Sequence, residues 1–245
     1  MLEFSKKQYL KKVYWSKSEF VSQFIYNSWI NTKHDKVLEI GAGTCPFSLS
    51  THFIDVVKHN EKYMIVDIDF EPLPYEPNFF DYVYSRHTVE DIYNPVFAIK
   101  EMFRISNKGY IETPSPLVET FKNVDGLSYN TRNISYSGYI HHRFIFYTDI
   151  HTNTLYILPK YPIIEFFTFL NDTEYDKYKQ LLENGDLYWN NYYFWDETSP
   201  PNVILYRNDI NFNIISDYFP LLEKAIAKSI EATATKQLEK HRVNC

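Results

Sequence analysis

A glycine-rich turn directly after a short apolar run is the stretch best suited to bind a small molecule. Residues 37–43 are Val-Leu-Glu-Ile-Gly-Ala-Gly, with polar residues before them. The apolar run predicts a buried parallel strand. Gly41 and Gly43 can adopt a positive φ and carry no Cβ, so a ligand can lie against bare backbone. The spacing indicates the opening of a nucleotide-binding βαβ unit, and a purely structural turn is the alternative.

The same turn argues against a dinucleotide site. Such a site needs a Gly-x-Gly-x-x-Gly pattern and an acidic residue about 20 residues further on. Position 46 is proline, and Asp55 follows Gly41 by only 14 residues. The sequence also contains no Gly-Lys-Ser or Gly-Lys-Thr run that would bind phosphate.

A second group of chemically capable residues lies far along the chain. His141, His142 and Arg143 are consecutive and form the densest cluster of hydrogen-bond donors in the sequence. They could recognise an acidic, phosphorylated or sugar group of a substrate, or they could anchor a loop to acidic residues. A His-His pair without a third ligand in the sequence pattern does not favour a metal ion, so we expect no metal site.

Composition limits the classes of partner. The 245-residue chain has a net charge of −6 and no long basic run, so nucleic-acid binding is not expected. Two cysteines, Cys45 and Cys245, give no disulfide framework or metal pattern and fit a reducing compartment. The sequence shows no signal-peptide apolar segment at its start and no apolar span of 18 residues. We therefore expect a cytoplasmic protein that does not cross a membrane.

Several elements must position these residues. Asn94-Pro95 opens a predicted helix, which Asn107-Lys-Gly109 is expected to end. Patterns of apolar residues predict strands at 63–68, 80–85 and 110–113, a hairpin of 144–148 with 155–159, strands at 188–195 and 202–206, and helices over 1–31 and 219–240.

The segment after the glycine turn allows two interpretations. Apolar residues recur at helical spacing over 48–60, which would make Asp67 the acid at the end of the next strand. Alternatively, residues 52–57 form a strand that carries Asp55. The crossover would then be residues 44–51, which include Pro46 and are fewer than a full helical crossover needs.

The order and spacing of these pieces resemble the class I S-adenosylmethionine-dependent methyltransferases, and most of all the group with a methyltransferase type 11-like core. The resemblance covers residues 36–119. It is carried by the turn at 37–43, Asp69 with Leu73-Pro-Tyr75, Phe80-Asp-Tyr-Val83, His87-Thr-Val-Glu90, Asn94-Pro95, Glu101-Met-Phe-Arg104 and Gly109-Tyr-Ile-Glu-Thr-Pro114. Some bacterial and viral members also have a short crossover that contains proline, which favours the strand at 52–57. This chain differs in having Cys45 for the third glycine and Asp91 for the usual histidine.

The resemblance implies the fold class and the domain organisation. The expected fold is α/β, a Rossmann-like class I methyltransferase sheet with helices on both faces and an aromatic-rich elaboration that contains β-strands. One methyltransferase domain would span 1–245. Within it we expect a helical segment at 1–35, a cofactor-binding core at 36–119, an acceptor-side elaboration at 120–210 and a C-terminal helix at 211–245.

The resemblance also implies roles for individual residues. S-adenosylmethionine is the expected cofactor, with contacts at the carboxyl ends of the strands. The implied contacts are Glu39, Gly41 and Gly43 near the methionine moiety, Asp55 to the ribose, Asp69 to the adenine amino group, Phe70 beside the adenine ring, and His87 at the end of the fourth strand. His87 is also the candidate catalytic residue, since it could take a proton. Arg86 is expected on the other side of that strand end. His141, His142 and Arg143 are the candidate substrate-binding residues.

The implied activity is transfer of a methyl group to a small or medium-sized acceptor by in-line displacement. Much of the catalysis in such a reaction is positioning and exclusion of water. One fold hosts many functions, so two alternatives remain open. The first is a catalytically silent protein of the same fold that binds the cofactor or a protein partner, and the second is a transferase that moves another group. The sequence leaves the oligomeric state open.

Overall fold

The computed structural model describes most of the chain from residue 36 to residue 234. The described residues are 36–44, 46–47, 49–122, 124, 136–166, 170–184, 186–207 and 212–234. The predicted helical segment at 1–35 lies outside them, as do Cys45 and Cys245.

A six-stranded sheet forms the centre of the fold. Its strands are β1 (Val37–Ile40), β2 (His52–Asp55), β3 (Tyr63–Ile65), β4 (Tyr82–Arg86), β5 (Gly109–Pro114) and β8 (Asn190–Trp195), in the order β3-β2-β1-β4-β5-β8. The first five strands are parallel, and β8 runs antiparallel to β5. The strand order reverses between β1 and β4, which is the switch point where open α/β sheets bind ligands beyond the carboxyl ends of their strands. The chain thus has the predicted α/β, Rossmann-like fold.

The short crossover after β1 is confirmed. Strand β2 pairs with β1 in the register Leu38 to His52 and Ile40 to Ile54, so the helical interpretation of residues 48–60 is wrong. The described part of the crossover, between residues 41 and 51, contains no helix. Gly41 N donates to Ile54 O at 2.9 Å, which fixes the start of the crossover against β2. Asp55 therefore ends β2 directly beside the glycine turn.

Helix α1 (Pro95–Ile105) links β4 to β5 and begins with proline, as predicted. Its end corrects the sequence analysis, because the helix stops before Ser106 and Gly109 is the first residue of β5. A glycine is required at position 109 for another reason: a Cβ there would lie 2.2 Å from the Trp195 ring. Close strand-to-ring packing therefore explains this glycine, and a helix cap does not.

The remaining elements form a second layer. The predicted hairpin is confirmed as β6 (Phe144–Asp149) and β7 (Thr154–Pro159), and β9 (Asn202–Leu205) completes a three-stranded sheet in the order β6-β7-β9. The helices are α2 (Pro116–Glu119), α3 (Pro162–Phe166), α4 (Asp172–Asn184) and α5 (Phe219–Ala234), with a 3-10 helix at Asp186–Trp189 and a π-helix at Ile214–Tyr218. The part of the predicted C-terminal helix beyond Ala234 lies outside the described residues. None of the described helices is long and apolar enough to cross a membrane.

Packing joins the predicted elaboration to the core. Met102 of α1, Ile111 of β5 and Phe146 of β6 belong to one buried cluster between the main sheet and the second sheet. The aromatic strand β8 completes the main sheet, with Tyr193 and Trp195 fully buried in it. These two rings stabilise the core, so they do not line an acceptor pocket.

Candidate functional site

The two glycines of the turn have different reasons to be glycine. Both have a positive φ, +72° at Gly41 and +52° at Gly43, as predicted. A Cβ on Gly41 would lie 2.0 Å from Thr88 Oγ1, so this position is dictated by packing. A Cβ on Gly43 would meet no described atom within 4 Å, so there is open space beside its backbone. Gly43 is therefore the position where a ligand can approach the turn.

Asp55 and Gly43 form one hydrogen-bonded unit at the carboxyl ends of β1 and β2. Asp55 Oδ2 accepts from Gly43 N at 2.9 Å, and Oδ1 accepts from Val57 N at 3.1 Å. Tyr63 donates its hydroxyl to Gly43 O at 2.9 Å. His59 Nε2 also lies 3.4 Å from Oδ2. Oδ1 has a second lone pair beside the hydrogen bond from Val57 N, so it can accept from a hydroxyl of a ligand.

Glu39 places a buried carboxyl group under the same turn. Its side chain is held by Phe47 N, which donates to Oε2 at 2.7 Å. Burial raises the pKa of Glu39 to about 7, although the hydrogen bond from Phe47 and the charge of Arg86 act in the opposite direction. A cation bound nearby would favour the ionised form of this carboxyl group.

The loop after β3 carries Asp69 and Phe70 in contrasting environments. Asp69 is buried, and its Oδ1 accepts from Asn94 N at 2.6 Å, directly before α1. Asp69 therefore has a structural role, because this hydrogen bond holds the loop against the start of α1. Phe70 is 71% exposed, an unusual position for a large aromatic ring in a folded protein. Asp67, the alternative ribose residue, accepts from Asp69 N at 3.1 Å within its own turn.

A buried charged group lies at the ends of β4 and β5. Glu112 of β5 accepts from Arg86 Nη2 at 3.1 Å, from Asn190 Nδ2 at 2.8 Å and from the Tyr110 hydroxyl. His87 Nε2 lies 3.4 Å from Glu112 Oε1. Arg86 and His87 thus meet at one carboxylate, which corrects the expectation that Arg86 lies on the other side of the strand end. Glu112 was not predicted as a site residue from the sequence. The only indication there was that it is the one charged residue in the strand Gly109–Pro114.

The ionisation of this group bears on the role of His87. Burial by itself would raise the pKa of Glu112, but the charge of Arg86 and the hydrogen bonds from His87 and Tyr110 outweigh it and lower the pKa to about 2. Burial by itself would lower the pKa of His87, but hydrogen bonds to Glu112 and Glu90 raise it to about 9. His87 is therefore an imidazolium at neutral pH and is better suited to donate a proton than to take one. Its backbone has φ +48°, which is uncommon for a residue other than glycine.

The cluster at 141–143 packs against the loop that follows β4. Arg143 N donates to Glu90 O at 2.7 Å and Arg143 Nε donates to Asp91 O at 2.9 Å. The Arg143 guanidinium stacks over the Tyr93 ring at 3.7 Å. His142 is buried, with Nδ1 only 2.6 Å from Glu119 Oε1. These contacts match the loop-anchoring alternative, and they also place the cluster beside the loop that contains His87.

The predicted site residues thus fall into two groups and one connecting loop. Glu39, Gly41, Gly43 and Asp55 surround the turn after β1, and His87 with 141–143 surrounds the loop after β4. Asp69 and Phe70 belong to the loop between β3 and β4. The residues of the main sheet lie in, end or follow parallel strands, along its ligand-binding edge. Residues 141–143 precede β6 and reach this edge through the contact of Arg143 with Glu90.

Comparisons with known proteins agree with this topology. Residues 35–111 match the profile of the methyltransferase domain family. No curated protein matches the chain.

Three solved structures illustrate the similarity. An S-adenosylmethionine-dependent methyltransferase from Mesorhizobium loti is 14% identical over 34% of this chain and 48% of its own, with a TM-score of 0.30. An S-adenosylmethionine-dependent methyltransferase from Thermotoga maritima is 19% identical over 47% and 58%, with a TM-score of 0.33. The [4+2]-cyclase SpnF is 19% identical over 33% and 39%, with a TM-score of 0.29. The chain thus spans about half the length of the structures it matches.

Similarity at these TM-scores is too low to indicate a family. The similarity to methyltransferases therefore depends on the family match and on the observed strand order. The matched segment runs from just before β1 into β5 and includes the glycine turn, Asp55, Asp69 and His87. Residues 35–111 are therefore similar to the methyltransferase domain family, and they form five parallel strands of a Rossmann-like sheet.

Proposed function

We propose that this chain is an S-adenosylmethionine-dependent methyltransferase that acts on a small or medium-sized acceptor. The observation that carries the proposal is the unit of Gly43 and Asp55 at the switch point of the sheet. Open space adjoins the backbone of Gly43, and next to it lies Asp55, whose Oδ1 accepts from Val57 N and has a second lone pair. This combination suits a nucleoside, whose ribose hydroxyls donate to the carboxylate.

The other groups along this edge fit the same cofactor. S-adenosylmethionine has a positively charged sulfur, an ammonium group, two ribose hydroxyls and an adenine ring. Asp55 supplies a carboxylate beside the turn, and Glu39 supplies a buried carboxyl group under it, whose ionised form a cationic ligand would favour. The exposed ring of Phe70 supplies an aromatic surface on which adenine can stack. These acceptors and this ring therefore suit the ribose hydroxyls, the cationic groups and the adenine ring of the cofactor.

When it is bound, S-adenosylmethionine supplies an electrophilic methyl group on a cationic sulfur. The protein then has to hold the acceptor in line with the methyl group and keep water out, which is mainly a matter of positioning. His87 is held between Glu90 Oε1 and Glu112 Oε1, each 3.4 Å from a ring nitrogen. Because His87 is charged in this setting and both of its ring nitrogens face carboxylates, we assign it to holding the ends of β4 and β5 in place beside the ligand and do not assign it the role of base.

The acceptor is expected to reach this edge beside residues 139–143. Arg143 uses Nε to hold Asp91 O, and its exposed guanidinium still has donors directed elsewhere. His141 is 62% exposed in the same loop. In a chain of net charge −6, this local donor surface suits an acceptor with a carboxylate, phosphate or sugar hydroxyl group.

A thermal-shift titration tests the cofactor part of the proposal. S-adenosylhomocysteine at about 100 times its Kd should raise Tm by roughly 5–10 °C, since native-state binding stabilises by about 2.7 kcal/mol. NAD and ATP at the same concentration should have no comparable effect. Phe70→Ala should reduce the shift by about 2–4 °C through loss of stacking worth roughly 1 kcal/mol. Phe166→Ala is the matched control, because Phe166 is 67% exposed and lies in α3.

Two outcomes would contradict this proposal. Equal shifts from all three ligands, or none from S-adenosylhomocysteine, would exclude a specific cofactor site. Incubation with S-adenosylmethionine and a metabolite mixture then tests the activity. If the cofactor binds but no S-adenosylhomocysteine forms, the chain is a silent binding protein or transfers another group.

A further inference from the structure

The fold brings a third potential ligand to the His141-His142 pair. Asp91 Oδ1 lies 3.9 Å from His141 Nε2 and 3.9 Å from His142 Nε2. These three atoms all lie within 4.8 Å of one another. We propose that Asp91, His141 and His142 bind a divalent transition-metal ion such as Zn²⁺. The expectation of no metal depended on the absence of a third ligand, and folding removes that objection.

The distances are close to those of an occupied site. Zn²⁺ bonds to imidazole nitrogen and carboxylate oxygen at about 2.0–2.2 Å, which places tetrahedral ligand atoms roughly 3.3–3.5 Å apart. Asp91 Oδ1 therefore needs to approach each histidine nitrogen by only about half an ångström, and the two histidine nitrogens, which lie within 4.8 Å, by up to about 1.4 Å. The His141 side chain is 62% exposed, so it has room to rotate inward.

His142 is prepared for metal binding by the groups behind it. Its Nδ1 lies 2.6 Å from Glu119 Oε1, and Lys160 Nζ holds the other oxygen of Glu119 at 2.9 Å. A proton on Nδ1 directed at this carboxylate leaves Nε2, which faces Asp91, as the nitrogen that can bind a metal ion once it is deprotonated. Metal-binding histidines usually donate their other ring N–H to a carboxylate in this manner, which fixes the tautomer and the ring orientation.

The backbone also holds the two ligand loops together. Arg143 N donates to Glu90 O at 2.7 Å, and His142 N donates to Tyr139 O at 3.1 Å. The segment with the histidines is thus fastened beside the segment with Asp91 before any ion binds. Asp91 Oδ1 is buried and has no hydrogen-bond partner among the described residues. A buried carboxylate oxygen without a hydrogen bond is uncommon in native proteins, and a bound cation would satisfy it.

The ligand types indicate which ions fit. Two imidazole nitrogens and one carboxylate oxygen suit Zn²⁺, Mn²⁺, Fe²⁺ or Ni²⁺, whereas Mg²⁺ and Ca²⁺ prefer oxygen ligands throughout. Three protein ligands leave at least one coordination position for water or for a substrate atom. The exposed sides of His141 and Asp91 keep that position open to solvent. Metal binding does not depend on methyl transfer, so either proposal can fail without the other.

Calorimetric titration of ZnCl₂ into the full chain, without an affinity tag and after treatment with a chelator, tests the site. We expect one Zn²⁺ per chain, and no binding of MgCl₂ at the same concentration. His141→Ala and Asp91→Asn should each lower the affinity at least tenfold. Both positions are partly exposed, so both variants should fold. His151→Ala is the matched control, since His151 is also 62% exposed but pairs with Glu231 on another face; it should bind as the unaltered chain does.

Two further measurements distinguish a site at these three residues from metal binding elsewhere on the chain. Glu119→Gln should weaken Zn²⁺ binding by about 10- to 100-fold without changing the stoichiometry, because it removes the orienting carboxylate. The Co²⁺-loaded protein should show visible bands without the near-ultraviolet thiolate band that Cys45 or Cys245 would produce. The proposal is overturned if no Zn²⁺ binds, if a thiolate band appears, or if His141→Ala and His151→Ala behave alike. In those cases His142 is only an ion-paired structural residue.

Discussion

Replacing Glu39 by glutamine should change how the stability of the protein depends on pH. Glu39 is 6% exposed, and burial raises its pKa from 4.5 to about 7. In the unfolded chain the same group ionises near 4.5. Between these two values the native state holds a proton that the unfolded state has lost. The free energy of unfolding must therefore fall as pH rises from about 4.5 to about 7.

The magnitude follows from the size of the shift. One pKa unit corresponds to about 1.36 kcal/mol, so the shift of Glu39 corresponds to about 3 kcal/mol over the whole interval. Glutamine keeps the shape of the side chain but cannot ionise. The free energy of unfolding of Glu39→Gln minus that of the unaltered chain should therefore increase by about 3 kcal/mol from about pH 4 to about pH 8. Most of this increase should occur between about pH 5 and pH 7.

Urea denaturation at several pH values measures this difference directly. Other groups titrate in both proteins and cancel in the comparison. Glu61→Gln is the control for the removal of a carboxyl group, because the Glu61 side chain is 91% exposed. A constant difference between Glu39→Gln and the unaltered chain would refute the reasoning. It would mean that Glu39 is ionised in the native protein throughout this range.

The remaining predictions concern the turn and the acceptor loop. Asp55→Ala should weaken S-adenosylhomocysteine binding by about 1–3 kcal/mol in calorimetry, the usual cost of a lost charge-assisted hydrogen bond; if Asp67→Ala weakens binding instead, the ribose assignment is wrong. Gly41→Ala should lower the free energy of unfolding by more than Gly43→Ala, because only the Cβ at 41 meets a neighbouring side chain, at 2.0 Å; denaturation curves that rank the two variants in the opposite order would contradict this. Gly43→Ala should in turn weaken cofactor binding more than Gly41→Ala does for the molecules that remain folded. Arg143→Ala should leave cofactor affinity unchanged and reduce methyl transfer at least tenfold once an acceptor is known; loss of cofactor binding in this variant would make the loop structural.

Local features of the molecule could be predicted from the sequence because their causes are local. The positive φ of Gly41 and Gly43, the start of α1 at Pro95 and the β6–β7 hairpin all follow from short-range rules for glycine, proline and alternating residues. The order of the first five strands followed from the resemblance. The helical interpretation of 48–60 failed because the spacing of a few apolar residues does not distinguish a short helix from a short strand.

The charge clusters could not be predicted, because their members are far apart in the sequence. Asn190 reaches Glu112 across 78 residues, Arg143 reaches Asp91 across 52 and His142 reaches Glu119 across 23. Such contacts depend on which strand lies beside which and on where the second sheet packs. The glycine turn was thus predicted from the sequence alone, whereas Asp55 was favoured over Asp67 as the strand-end acid only by the family resemblance. The environment of His87 was decided only by the tertiary structure, because burial and neighbouring charge set the protonation of a side chain and neither exists before the strands assemble. The third potential metal ligand, Asp91, was also decided only by the tertiary structure, because it is far from His141 and His142 in the sequence.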